Sequence, residues 1–185
     1  MPNWVTTKIE FTGEKNDIKK VLETIINENG DFDFNTLIPM PDNIYTGNLG
    51  QAEREKYGAN NWYDWSCENW GTKWNACHSC LTSCLEFDTA WSLAEPVLQA
   101  LAVLCHNTNV EFEGYFCDED WSYNKGGFYS KDGICYIWYD DNTDIKDPTV
   151  KDILCNVYGE FCYEEMVSWE EEYNNEGDYG DWYKL

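Results

Sequence analysis

Cysteine and histidine residues cluster between positions 77 and 84, where their spacing could hold a metal ion. Residues 77–80 read Cys-His-Ser-Cys, and Cys84 follows four residues later. A structural zinc site needs four ligands in two pairs. Cys105 and His106 are the residues that could complete the set. Two adjacent residues on a predicted helix cannot both point inward. The pattern leaves two alternatives, a zinc site or reduced thiols in or near a strand, and we expect thiols and no metal.

A second cation-like pattern begins at Asp140. Asp140, Asn142 and Asp144 occupy the first, third and fifth places of a calcium-binding loop. The sixth place holds Ile145, where the sharp turn needs glycine, and the twelfth holds Lys151, where a bidentate glutamate is required. We therefore expect a solvated turn here and no calcium site.

Groups for acid-base or nucleophilic catalysis are few. His78 and His106 are the two histidines, and neither stands in a serine, cysteine or metal-ligand pattern that marks a catalytic site. Residues 125–127, Lys-Gly-Gly, lie in a predicted hairpin and lack the following helix that a phosphate loop requires. The sequence predicts no enzyme, no catalytic residue and no cofactor.

Acidic side chains dominate the charge of the chain. Its 185 residues contain 35 Asp and Glu against 12 Lys and Arg, which gives a formal net charge of −23. Coulomb repulsion opposes direct binding of nucleic acid and of anionic membranes at this charge. A basic protein surface or a cation is the partner that such a chain attracts.

The negative charge is concentrated toward the C-terminus. Residues 111–185 carry twenty acidic residues and five lysines, a net charge of −15, against −8 for residues 1–110. Duplex DNA carries one charge per about 1.7 Å, so −15 spread along one face would match about 25 Å of duplex. The two interpretations are a nucleic-acid mimic and solubility alone. For a mimic, the candidate partner-binding residues are Asp140, Asp141, Asp144, Glu160, Glu164, Glu165, Glu170, Glu171 and Glu172.

Strands and helices alternate over the first 140 residues. The apolar pattern predicts strands at 4–11, 81–87 and 110–117, helices at 16–29 and 91–106, and an extended stretch at 32–38. Asp132-Gly133 predicts the turn of a hairpin that joins 127–130 to 134–139. A helical insertion at about 49–71 is divided near Gly58. This order predicts an α+β fold with an antiparallel sheet and helices on one face.

Residues 141–185 form a predicted acidic helical extension that packs on the same body. Pro148 opens one helix, and a second runs from about 160 to 173. In the second helix we expect Met166, Val167 and Trp169 to dock on the body while the glutamates face water. The chain begins without a signal-peptide pattern and has no run of eighteen apolar residues, which predicts a cytoplasmic protein with no membrane span.

Four tryptophans, Trp62, Trp65, Trp70 and Trp74, lie close together in the sequence. They could form an exposed recognition surface, since aromatic side chains often anchor interfaces. They could instead close over the sheet as part of the core. The Gly71 turn and Lys73 between them favour the structural role.

Four segments taken together resemble one family. They are Asn3-Trp4 in the first strand, Leu-Ile-Pro-Met-Pro at 37–41, Asn-Trp-Gly-Thr-Lys-Trp-Asn-Ala at 69–76 and Phe-Asp-Thr-Ala-Trp at 87–91. The combination resembles the phage- and plasmid-borne YubB-like proteins with a ferredoxin-like domain, over about residues 1–140. The resemblance implies a ferredoxin-like sheet for this domain and carries over no catalytic residue.

Charge and resemblance together lead to a functional hypothesis. We expect an acidic binding protein, encoded by a phage or mobile element, that inhibits a basic host protein in the host cytoplasm. The expected target is a nucleic-acid-binding defence protein such as a nuclease or CRISPR effector, which makes the chain an anti-CRISPR-like nucleic-acid mimic. The alternatives are a small-molecule or nucleotide-binding module, which needs a basic pocket, and a metal-dependent enzyme, which needs a bound metal.

Overall fold

The computed structural model describes residues 3–121 and 124–175, with side chains as far as residue 171. This part of the chain contains six strands, six α-helices and a 3-10 turn at Phe34–Thr36. In chain order the strands and helices are β1 (Trp4–Thr12), α1 (Lys15–Ile25), α2 (Gln51–Tyr57), α3 (Trp62–Asn69), β2 (Cys77–Leu81), β3 (Leu85–Ala90), α4 (Glu95–Asn107), β4 (Glu111–Asp118), β5 (Lys125–Lys131), β6 (Ile134–Tyr139), α5 (Pro148–Tyr158) and α6 (Glu160–Asn175).

The six strands form one antiparallel sheet in the order β2-β3-β1-β4-β5-β6. In the central strand β1, Val5 pairs with Thr89 of β3 on one side and with Asp118 of β4 on the other. The first four strands, with α1 and α4, follow the β-α-β-β-α-β order of a ferredoxin-like domain. Strands β5 and β6 extend the sheet through the hairpin at Asp132-Gly133. The predicted α+β fold is confirmed.

One face of the sheet is covered by α1 and α4. The strand residues of this core stand at alternate positions and so point to the same side. They meet an apolar stripe on each helix. The core takes Val5, Ile9, Leu85, Phe87, Phe112, Phe116 and Phe128 from the strands and Val21, Ile25, Val97, Leu98 and Leu101 from the helices.

The opposite face is partly covered by α5. Cys117 follows Phe116 in β4 and therefore points to the other side, where it packs with Val150, Ile153 and Leu154. Asp147 begins this helix by accepting hydrogen bonds from the first backbone N–H groups of the helix. The extension after residue 140 thus adds a layer to the domain on the face that α1 and α4 leave open.

Lys125 is a fully buried lysine at the start of β5. Its Nζ donates to the backbone carbonyls of Asp140 at 3.2 Å and Asn142 at 2.6 Å, and lies 3.9 Å from Oδ1 of Asp140. A buried ammonium group needs such acceptors because burial removes its water. The lysine therefore holds the loop that leads from the sheet to α5.

Gln99 of α4 hydrogen-bonds to the backbone at the start of β6, which is an edge strand of the sheet. Its Nε2 donates to the carbonyl of Gly133 at 2.9 Å, and its Oε1 accepts from the N–H of Cys135 at 3.1 Å. The Cys135 N–H therefore points away from β5. At this position a side-chain amide takes the place of a neighbouring strand.

Two local predictions were wrong. The segment predicted as one strand at 81–87 is the hairpin of β2 and β3, where the N–H of Thr82 donates to the carbonyl of Cys84 at 3.1 Å. The stretch predicted as extended at 32–38 contains the 3-10 turn, because the Asp33 side chain accepts from the N–H of Asn35. At Asp33 a short polar side chain overrides the apolar pattern by bonding to nearby backbone, whereas at Thr82 the turn is closed by a bond between two backbone groups.

Removing the Trp70 side chain tests whether this ring belongs to the core. It is 4% exposed, and its Nε1 donates to the carbonyl of Ile38 at 2.9 Å. We expect Trp70→Ala to lower the free energy of unfolding by about 3–5 kcal/mol, because it leaves a cavity and an unpaired carbonyl. Urea denaturation followed by circular dichroism measures the change. The exposed Trp169→Ala should stay within about 0.5 kcal/mol of the parent, and equal effects of the two substitutions would contradict the burial of Trp70.

Candidate partner-binding surfaces

Helix α6 packs on α5 and on the loop at 140–147. Tyr163 is buried, and its hydroxyl donates to the carbonyl of Ile145 at 3.3 Å. Met166 and Val167 pack beside it, as predicted. The remaining surface of the helix turns outward.

The outward surface of α6 combines carboxylates with large apolar side chains. Glu160, Glu164 and Glu165 are exposed, while Phe161 is 71% exposed and Trp169 is 66% exposed. Large exposed apolar groups on a charged surface often mark an interaction site. We call the surface formed by these five residues the α6 surface.

The prediction that Trp169 docks on the body was wrong, and helix geometry explains why. At about 100° per residue, Trp169 lies about 120° around the helix from the buried Tyr163, whereas Glu170 lies only about 20° from it. Glu170 is accordingly half-buried on the docking side. Glu171 is exposed and pairs with Lys146 at 2.7 Å. The side chain of Glu172 and residues 176–185 lie outside the described residues.

The three predicted acidic positions before α5 belong to the loop rather than to one outward surface. Oδ1 of Asp140 accepts from the N–H of Asn142 at 2.7 Å, and Oδ1 of Asp144 accepts from the N–H of Lys146 at 2.9 Å. Asp141 and Asp144 are exposed, while Asp140 is half-buried beside Lys125. The calcium-like spacing thus corresponds to successive side-chain turns, with a lysine ammonium group bound to the loop carbonyls.

The four predicted tryptophans divide into two groups. Trp62 donates through Nε1 to the carbonyl of Gly47 at 3.1 Å, and Trp65 meets the buried Trp70 edge to face at 5.3 Å. Trp65 and Trp70 pack against the core and hold the insertion there, while Trp62 bonds to the loop before α2. Trp74 lies apart from them and stacks on Trp91 with 6.0 Å between ring centroids.

Trp74, Trp91 and Trp4 form a second aromatic surface near His78. Nζ of Lys73 lies 4.3 Å from the centre of the Trp74 ring, and His78 meets Trp4 edge to face. Nδ1 of His78 lies 2.8 Å from Asp88. The carboxylate can orient the imidazole. His78 and Trp91 both have positive φ, of 52° and 66°, which is unusual for residues other than glycine.

Cys77, next to His78 in the sequence, carries no sign of activation as a nucleophile. All nine cysteines of the chain are free thiols in the structure. Burial, with a smaller contribution from Asp88, raises the pKa of Cys77, whereas a nucleophilic thiol needs a lowered pKa. Cys80 is exposed and Cys84 is half-buried. Over residues 3–121 and 124–175, no three His, Cys, Asp or Glu side chains are grouped to hold a metal ion.

Sequence reasoning missed an aromatic surface on the face of the sheet that carries α5. Tyr129, Tyr136 and Trp138 are exposed there, and a cleft of about 190 Å³ opens between Glu113, Tyr115, Tyr129 and Trp138. We call it the aromatic cleft. The signal was present in β6, where Tyr136 and Trp138 are two residues apart and therefore lie on one face.

Asp118 is a buried carboxyl group at the end of β4. Its Oδ2 accepts from the side-chain amide of Asn3 at 3.3 Å. Burial, followed by the charge and hydrogen bond of Asp120, raises the pKa of Asp118 to about 6. Such a value suits an acid that exchanges protons near neutrality.

Comparison with known proteins supports the fold. Residues 69–153 match a family model described as the ferredoxin-like domain in Api92-like protein. This match runs from the end of α3 into α5 and includes five of the six strands. No curated protein and no solved structure matches the chain. Among the described residues, no helix is long and apolar enough to cross a membrane.

The raised pKa of Asp118 predicts how stability depends on pH. The folded state holds this proton up to about pH 6, whereas an unfolded chain releases it near pH 4, so the free energy of unfolding falls as pH rises between these values. We expect Asp118→Asn, which cannot ionise, to be more stable than the parent by about 1–3 kcal/mol at pH 7.5 and by less at pH 5.

Urea denaturation of both proteins at pH 5.0 and pH 7.5 measures this difference. Exposed Asp141→Asn is the matched control, because Asp141 lies in water, and its pH dependence should follow that of the parent. An Asp118→Asn protein that is less stable than the parent at pH 7.5 would contradict the unfavourable burial of the charged carboxylate.

Proposed function

We propose that this chain is a binding protein, encoded by a phage or a related mobile element, that occupies the nucleic-acid groove of a basic host protein. The inhibited host protein is a defence protein such as a nuclease or CRISPR effector. The α6 surface is the observation that carries the proposal. It joins Glu160, Glu164 and Glu165 to the exposed rings of Phe161 and Trp169.

The dimensions of α6 support this proposal. Its 16 residues span about 24 Å at 1.5 Å per residue. The exposed glutamates Glu160, Glu164 and Glu165 cover about 7.5 Å of the axis, and three successive phosphates along one DNA strand cover about 7 Å. Glu171 is partly neutralised by Lys146 and Glu170 is half-buried, so the outer charge comes chiefly from the first half of the helix.

The exposed rings give a reason to prefer a specific interface over solubility alone. A solubilising surface gains nothing from Phe161 and Trp169 in water, because exposing apolar area costs free energy. Aromatic side chains surrounded by charge are typical of interface anchors. Charge would speed encounter with a basic groove, and the rings would supply short-range affinity.

The alternative of a nucleotide-binding module has less support. Its basic pocket would have to use lysines that are already engaged. Lys8 pairs with Glu86 at 3.2 Å, and Lys73 lies over the rings of Trp74 and Trp91. The acidic charge opposes phosphate groups as well.

The proposal is tested by capture and competition. The tagged full chain is used to capture partners from a bacterial lysate, and the captured protein is purified with a labelled oligonucleotide that it binds. We expect the chain to displace that oligonucleotide. A partner that binds chain and oligonucleotide together, or that binds no nucleic acid, contradicts the proposal.

Neutralising the α6 surface should weaken partner binding. We expect the triple variant Glu160→Gln, Glu164→Gln and Glu165→Gln to bind at least about tenfold more weakly, or about 1.4 kcal/mol. Calorimetry measures the affinity. The matched control replaces three other exposed glutamates, Glu23, Glu28 and Glu68, and should bind like the parent. Equal losses in both variants would mean that net charge alone matters.

Salt should have a strong effect on the same complex. Exposed charges are screened over about 10 Å at 0.1 M salt, so we expect the affinity to fall at least about tenfold between 50 and 200 mM salt. The triple variant should show a shallower salt dependence. An affinity of the parent that does not change with salt would contradict an electrostatic interface.

A further inference from the structure

The face of the sheet beside α5 presents aromatic rings to solvent. Tyr129 of β5 and Tyr136 and Trp138 of β6 are between 38% and 45% exposed. The sheet runs on past α5 because β5 and β6 extend it. This surface shares no residue with the α6 surface.

The rings of this surface are held in place before any partner binds. Trp138 lies across Gly127, where an added Cβ would come 2.5 Å from Cζ2 of the indole. Tyr115 meets Trp138 edge to face at 6.3 Å, and Tyr129 stacks on Tyr136 at 5.1 Å. Glycine is therefore required at position 127 for the indole to lie flat on the sheet.

One carboxylate, Glu113, lines the aromatic cleft, and two more line the cleft beside it. A neighbouring cleft of about 310 Å³ shares Glu113 and Tyr115 with the aromatic cleft and adds Glu10 and Asp152. The Tyr115 hydroxyl donates to Oδ2 of Asp152 at 2.9 Å. Burial, Asp152, Glu113 and Glu10 together raise the pKa of Tyr115, in keeping with negative potential at this position.

Two of these carboxylates stand in an unfavourable arrangement. Glu10 of β1 is directly opposite Glu113 of β4 in the sheet register. Like charges at opposite positions of neighbouring strands lower stability. Lys8, which lines the neighbouring cleft, pairs with Glu86 of β3. A cation between Glu10 and Glu113 would remove this repulsion.

We infer that the aromatic cleft binds an arginine side chain of a basic partner protein. The inference rests on the proposed function, since it names the chemistry by which the basic partner is recognised. The planar guanidinium stacks on the rings of Tyr129 and Trp138, and its N–H groups donate to Glu113 and Glu10. Lysine fits less well because its compact ammonium neither stacks nor forms a two-bond contact with a carboxylate.

Charge argues against the other occupants of such a surface. A nucleic-acid base would bring a phosphate close to Glu10, Glu113 and Asp152. A second copy of the chain would bring another net charge of −23. Both are opposed by Coulomb repulsion.

The test uses the full chain and two short, capped peptides that differ only in arginine or lysine at the same positions. Titration is followed by tryptophan fluorescence and calorimetry at low salt. We expect the arginine peptide to bind at least about threefold more tightly than the lysine peptide. Equal affinities would overturn the inference, because they would indicate attraction by charge alone.

Two substitutions locate the site. We expect Glu113→Gln and Trp138→Thr each to weaken binding of the arginine peptide at least about fivefold. Their controls are Glu23→Gln, on α1 at the opposite face, and Trp91→Asn, which removes an exposed indole where φ is positive. Both controls should bind within twofold of the parent. If Trp138→Thr lowers the melting temperature, Glu113→Gln decides, since its exposed side chain has no packing role.

The outcomes separate this inference from the proposed function. If Trp138→Thr and Glu113→Gln leave peptide binding unchanged, the inference fails while displacement of an oligonucleotide can still support the function. If the peptide binds in the cleft but the captured partner keeps its oligonucleotide, the function fails and the inference stands. Loss of a dimer in Trp138→Thr by sedimentation, or loss of single-stranded RNA binding, would assign the cleft to another occupant and overturn the inference.

Discussion

Packing on both sides of β4 is the constraint on which the other features depend. Phe112 and Phe116 point into the core under α1 and α4, while Cys117 points to α5. Alternation along a strand makes this division unavoidable once one face is buried. Helix α5 has 11 residues, about 16 Å at 1.5 Å per residue, and covers only part of a six-stranded sheet. The surface over β5 and β6 remains exposed. Helix α6 comes next in the chain and packs mainly on α5 and the loop before it.

Electrostatic repulsion shapes where acidic residues stand in this chain. Asp140 is placed beside the buried ammonium of Lys125, and Asp147 begins α5, so both have roles in folding. Glu164 and Glu165 have water around them instead. The acidic residues are therefore not one uniform surface. Some hold the junction between sheet and extension, and others remain as outward charge next to exposed rings.

The strand and helix order could be predicted from the sequence because local periodicity reports which side of an element is buried. The alternation in β1 and the Asp132-Gly133 turn are examples, and both are present in the structure. Three features could not be derived. The β2–β3 hairpin depends on hydrogen bonds around Thr82, the outward position of Trp169 depends on where α5 lies, and the aromatic cleft depends on strands distant in sequence becoming neighbours. Of the predicted site residues on α6, a helical pattern could anticipate the exposure of Glu160, Glu164 and Glu165, whereas Glu170 lies half-buried on the docking side.

At Gly133 and Cys135, the side-chain amide of Gln99 makes the hydrogen bonds that a further strand would make. A sheet that ends in this way resists adding further backbone at that point, whether from a stray peptide or from another molecule of the same kind. Recognition at this end of the sheet then depends on contacts between side chains. A partner protein would be selected by its side chains rather than by its ability to add a strand to the sheet. Such a surface discriminates between sequences.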